Sequence, residues 1–241
     1  MKTRKLCLVS ILLSGAFFMF FAPGCVTTES ILGPLRGSEP LGLETVVAGL
    51  KEALRVGTRN AVRATSKDGG YWRNAEIRIP MPEKLERMGA ALRRVGFGGR
   101  VDAFERRMNE AAERAAREAT PIFVDAIKQM TFRDAKEILR GEKTAATDYF
   151  RDKTTDPLTG LYRPVVKKHM DALGVVELYN RLLARYLKIP LVPKPTVSLE
   201  EYITAKALAG LFHVVAEEEQ KIRENPAART TALLRKVFAG Q

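Results

Sequence analysis

Two cysteines are all that this 241-residue chain contains, Cys7 and Cys25. Beyond residue 25 there is no thiol, which excludes an internal disulfide, a zinc–thiolate site and a cysteine nucleophile from everything that follows. Histidine is as scarce. His169 and His213 fall on different predicted helices without zinc-type spacing, so no metal site is expected. His213, beside Phe212 in an apolar helix, reads as a core histidine. There is one tryptophan, Trp72. No Gly-x-Ser-x-Gly elbow occurs, and Gly96-Phe97-Gly98-Gly99 lacks the Lys-Ser/Thr ending and preceding strand of a phosphate loop. The expectation is a chain with no cofactor and no recognisable catalytic apparatus.

What is present begins with the first 25 residues. Lys2, Arg4 and Lys5 precede an apolar stretch, Leu6–Phe21, interrupted by Ser10, Ser14 and Gly15. A bilayer-spanning helix needs roughly 20 apolar residues, so this stretch suits a cleaved signal better than a permanent anchor. It ends in Ala22-Pro23-Gly24-Cys25. A small residue before a cysteine resembles the signal of bacterial lipoproteins, in which the cysteine becomes the lipidated first residue. Ala22 and Pro23 depart from the commonest residues of that pattern. The resemblance implies a signal peptide over 1–24, lipidation of Cys25, and attachment to the membrane through it. Thr27 in place of Asp implies sorting to the outer membrane, facing the periplasm.

Charge is the second positive feature. The chain carries 40 Lys and Arg against 28 Asp and Glu. Removing Lys2, Arg4 and Lys5 leaves 37 against 28, a net charge of about +9 for residues 25–241. In a cytosolic chain this would suggest nucleic acid. In an exported one the charge either points to phospholipid head groups, lipopolysaccharide or an acidic envelope protein, not nucleic acid, or only keeps the domain soluble.

Residues 25–43 are rich in Gly, Pro, Ser and Thr and read as a flexible tether. From residue 44 to 241 helical periodicity dominates. Val47, Leu50, Leu54, Gly57 and Ala61 mark one buried face. Val101, Phe104, Met108, Ala111, Ala115 and Ala119 mark another, narrow enough for a neighbouring helix to approach closely. Pro121–Met130 is apolar almost all round and is expected to be central. Thr144–Lys153 and Asp156–Gly174 read as separate helices, the second facing inward with Leu158, Leu161, Val165 and Leu173. Pro190, Pro193 and Pro195 make a strap, and Ser198-Leu199-Glu200-Glu201 opens a long helix. The class is all-α, a single domain of about nine or ten helices, with at most a minor extended segment near Ile77–Met81.

Two local features are candidate sites. Asp125 and Lys128, three apart on the apolar helix, could pair for acid–base chemistry or form a structural ion pair. Tyr71 and Trp72 follow Gly69-Gly70 and are candidates to line a ligand-binding loop, or simply to pin that loop to the helices. Glu217-Glu218-Glu219 reads as a solvated face or a partner for nearby basic residues.

Three stretches carry a wider likeness. They are Glu76-Ile77-Arg78-Ile79-Pro80, the run from Pro121 to Phe132, and the run from Ala216 to Thr231. With Tyr149-Phe150-Arg151 and the helix order, they resemble the bacterial domain-of-unknown-function family 4197 over about Val46–Phe238. The resemblance implies an exported, mainly helical domain and transfers no catalytic residue. Three functions compete: a non-enzymatic envelope module that binds a protein or anionic lipid, a carrier of a small apolar ligand between helices, and an enzyme without a recognisable motif. Oligomeric state is not legible in the residues.

Overall fold

Four long helices build the centre, and in each the buried stripe follows the 3–4 spacing of its apolar residues. The computed structural model describes residues 42–237, which belong to one compact unit. The expected signal segment, Cys25 and the tether as far as residue 41 lie outside the described residues. The helices are α1 (Leu43–Ser66), α2 (Glu83–Arg94), α3 (Gly98–Ala116), α4 (Thr120–Gln129), α5 (Phe132–Arg140), α6 (Ala145–Ala172), α7 (Val175–Tyr186), α8 (Leu199–Glu224) and α9 (Ala232–Val237). Short 3-10 turns follow α3 and α8. There is no strand among the described residues.

Helix α8 packs against α1 and α6, and α3 touches all three. Val101, Phe104, Met108, Ala111, Ala112, Ala115 and Ala116 of α3 are all fully buried. A surface built mostly of methyl groups is low, so the neighbouring helix axes can come close. Helices α2 and α7 pack on α3, while α4, α5 and α9 lie against α1.

Four expectations need correction. Helix α4 is peripheral: only Phe123 and Ile127 are buried, while Asp125, Lys128 and Gln129 are exposed. Its apolar character is satisfied by a few contacts, chiefly Phe123 set edge-on to Phe150 and Phe212. The two segments read from Thr144 to Gly174 form one helix, and nine α-helices lie among the described residues. Pro157 and Pro164 sit inside it on the exposed side, and so do Lys153 and Gly160, whose carbonyls lose a partner to the prolines. Water can satisfy those carbonyls, so the helix continues. Leu161 is 47 % exposed; the inward stripe is Leu158, Tyr162, Val166 and Met170. His213 is also not a core residue, because the buried face of α8 runs through Phe212, Val214 and Val215 and leaves His213 outward.

The Ile77–Met81 segment alternates as read, with Ile77, Ile79 and Met81 buried and Arg78 and Pro80 exposed. Its partner is a side chain instead of a strand. Asn109 accepts from Ile79 N–H at 2.8 Å and donates to Ile79 C=O at 2.8 Å.

Candidate functional site

The loop between α1 and α2 is held by two residues one helical turn apart on α3, Asn109 and Glu113. Glu113 is buried and accepts three backbone N–H groups, from Gly69 at 3.1 Å, Tyr71 at 3.0 Å and Trp72 at 3.1 Å. Gly69 has φ +78°, a conformation that suits a residue without Cβ, and this turns the chain so that its amides converge. Carboxylates can be buried when converging donors replace their water, and this one is.

Tyr71, a candidate ligand-binding residue, is fully buried, and its hydroxyl donates to Ala207 C=O at 2.6 Å. Burial, and then the nearby Glu113 charge, push its phenol far above the usual range. It therefore serves as a neutral donor that locks the loop to α8. Trp72 is half-buried, with the Arg78 guanidinium 3.8 Å above its ring. The two aromatics point to different places: Tyr71 to the core and Trp72 to the margin of a cleft.

That cleft is open, has a volume of about 790 Å³, and lies between the 66–73 turn, the outer face of α3 and the last turn of α6. Its walls include Trp72, Arg73, Arg106, Arg114, Arg117, Lys168 and His169. Of the four acids beside them, Glu113 is occupied by the three amides and Glu110 pairs with Arg106 at 3.0 Å, while Asp68 and Glu118 also line the cleft. Arg117 donates to Ser66 C=O at 3.3 Å. His169 records the local field. Burial first, then Arg114 and Lys168, depress its pKa, against the opposing pull of Glu118. A histidine whose proton is disfavoured by several cations marks a place where an anion would be favoured.

The candidate catalytic pair does meet. Lys128 Nζ lies 3.1 Å from Asp125 Oδ1, with both side chains 63 % exposed. Such a pair is strongly solvated and contributes at most about 1 kcal/mol. Asp125 also borders a separate cleft of about 510 Å³ with Arg133, Asp134, Tyr149 and Lys153, but Lys128 does not line it. Asp134 is engaged there as the acidic member of a capping box with Thr131. Between α1, α6 and α8 an apolar space of about 20 Å³ is lined by Leu50, Leu54, Phe150, Val215 and Ile222.

Of the three consecutive glutamates, Glu219 is buried. It accepts from Ala146 N–H at 3.0 Å, and from Thr147 N–H and Thr147 Oγ1–H at 2.8 Å each, at the start of α6. Arg223 closes the site at 2.9 Å. A signal for this existed in the sequence: Val215, Glu219 and Ile222 share one stripe, with Arg223 one turn beyond Glu219. His169 lacked any such signal, because the arginines around it come from a helix about fifty residues earlier.

Among the described residues no helix is long and apolar enough to cross a membrane. No curated protein and no solved structure matches the chain. The profile of one family does, across residues 41–239 and so across all the helices above. The chain therefore belongs to the family described as a protein of unknown function, DUF4197.

Proposed function

We propose that the chain is a non-enzymatic module of the cell envelope, exported and lipid-anchored at Cys25, that binds anionic lipid head groups in the cleft beside His169. The observation that carries this reading is the gathering of Arg114, Arg117 and Lys168 around a histidine whose own proton they oppose, with Arg73 in the same cleft wall. The net charge of about +9 on residues 25–241 supports it, and so does the lipoprotein-like ending at Cys25. Trp72 at the margin suits a head-group interface, since an indole presents both an apolar face and an N–H.

The carrier reading draws less support, because the apolar space among the helices has room for roughly one water molecule. The enzyme reading rests on a solvated surface pair.

Flotation of the purified protein with phosphatidylglycerol vesicles, against phosphatidylcholine vesicles, tests the proposal. Binding to the anionic vesicles is expected, weakening with salt and lost in the double variant R114Q/K168Q. Crosslinking from cleft positions to an acidic envelope protein, without vesicle binding, would move the reading to that partner. Absence of both would overturn it. Labelling cells with a radioactive fatty acid tests the anchor: the label should disappear in C25S.

A further inference from the structure

His213 faces outward at a place independent of the cleft. His213 and Glu217 stand one turn apart on the exposed side of α8. Glu76 arrives from the loop, distant in sequence, and its Oε2 lies 2.9 Å from His213 Nε2. Glu217 Oε1 lies 3.7 Å from the same nitrogen. One donor atom from each of the three side chains falls within 4.8 Å of the others. We propose that Glu76, His213 and Glu217 form a divalent-cation site that takes Zn²⁺ or a similar late first-row ion.

Three observations carry it. The first is spacing. Zinc binds imidazole nitrogen at about 2.0–2.1 Å and carboxylate oxygen at about 2.0–2.2 Å, which sets tetrahedral donors roughly 3.3 Å apart. The observed triangle reaches that size with side-chain shifts of roughly an ångström.

The second is the donor set. One imidazole and two carboxylates suit zinc and its neighbours better than calcium, which wants six to eight oxygens, or magnesium, which keeps its water. Three protein ligands leave a fourth position facing solvent, where water completes the shell. Two carboxylates converging on one imidazole also bring negative charge that a divalent cation neutralises.

The third is how the chain brings the ligands together. Gly210 precedes His213 by one turn, and a Cβ there would lie 2.7 Å from Tyr71 Cε1 and 3.1 Å from Ile77 Cβ. Its missing side chain lets the loop lie directly on α8, with Glu76 at His213. The loop is fixed there by the Tyr71 bond to Ala207, and Glu76 N–H is held by Asn74 Oδ1 at 3.0 Å. The ligand carriers are therefore in place before an ion arrives, which lowers the ordering cost of binding.

Isothermal titration of ZnCl₂ into the untagged, EDTA-stripped protein tests the proposal. One site per chain is expected, with affinity falling about tenfold or more in each of H213A, E217Q and E76Q, and unchanged in H169A. His213 and Glu76 are exposed and Glu217 is half-buried, so the variants should fold, and a thermal melt checks this. Zinc should raise the melting temperature of the wild-type protein and not of H213A. No binding, binding that survives H213A, or binding lost only in H169A would overturn the proposal.

Discussion

Asn109 treats Ile79 as a neighbouring strand would, giving one hydrogen bond to its carbonyl and taking one from its amide, both at 2.8 Å. A third bond, from Nδ2 to Glu105 C=O at 2.8 Å, holds the amide in that orientation. Asn109 and Ile79 are both fully buried. The N109A variant leaves two backbone groups without partners and should lose about 2–4 kcal/mol of stability, read by chemical denaturation. N109D should not rescue it, because a carboxylate cannot donate to the two carbonyls.

Glu219 ties the start of α6 to α8. Its partners Ala146, Thr147 and Arg223 keep it satisfied while buried. E219A removes the acceptor from two amides and strands the Arg223 charge, so a loss of about 3–5 kcal/mol is expected. Hydrogen exchange at the Ala146 and Thr147 amides should accelerate more than exchange in α3. Equal acceleration everywhere would mean that the effect is global and not local to this junction.

Replacing a helical glycine by alanine usually stabilises a helix by about 1 kcal/mol. At Gly210 the sign should reverse. The new Cβ meets the Tyr71 ring, which is fully buried and anchored through its hydroxyl, so it cannot step aside. A net loss of about 1–3 kcal/mol is expected for G210A, visible as a lower denaturation midpoint.

The Thr131–Asp134 capping box gives a pH signature. Hydrogen bonds from the Thr131 amide, and then its hydroxyl, hold the Asp134 carboxyl below its usual range. A depressed carboxyl stabilises the fold fully above its unfolded value, about 3.9, and the contribution is lost as pH falls through the folded value. The stability gap between wild type and D134A should therefore be constant near neutrality and close in acid. T131A should cost about 1 kcal/mol at neutral pH.

Periodicity made the framework legible. The inward stripes of α1 and α3 hold residue for residue, because a helix wanting one buried face writes it every three or four positions. It was less informative where helices are buried on several sides or hardly at all. In α8 an apolar surround hid the outward position of His213. In α4 an apolar composition concealed a surface position. At α6 Asp156-Pro157 read as the start of a new helix, because the exposure of Pro157 could not be known. The candidate sites were harder still. Trp72 was legible as unusual, but His169 and its cations, and Glu76 with His213, meet only through tertiary packing, and no local pattern records that meeting.

The central claim is that an anion occupies the cleft at His169. The most direct measurement follows the His169 imidazole by NMR across pH while soluble glycerophosphate, the charged part of a phospholipid head group, is added. Burial and the surrounding cations depress its pKa in the free protein. A bound anion should raise it, saturably, and R114Q/K168Q should abolish the dependence on glycerophosphate. An imidazole that titrates identically with and without glycerophosphate, while the same protein floats with anionic vesicles, would place the binding elsewhere and contradict the account.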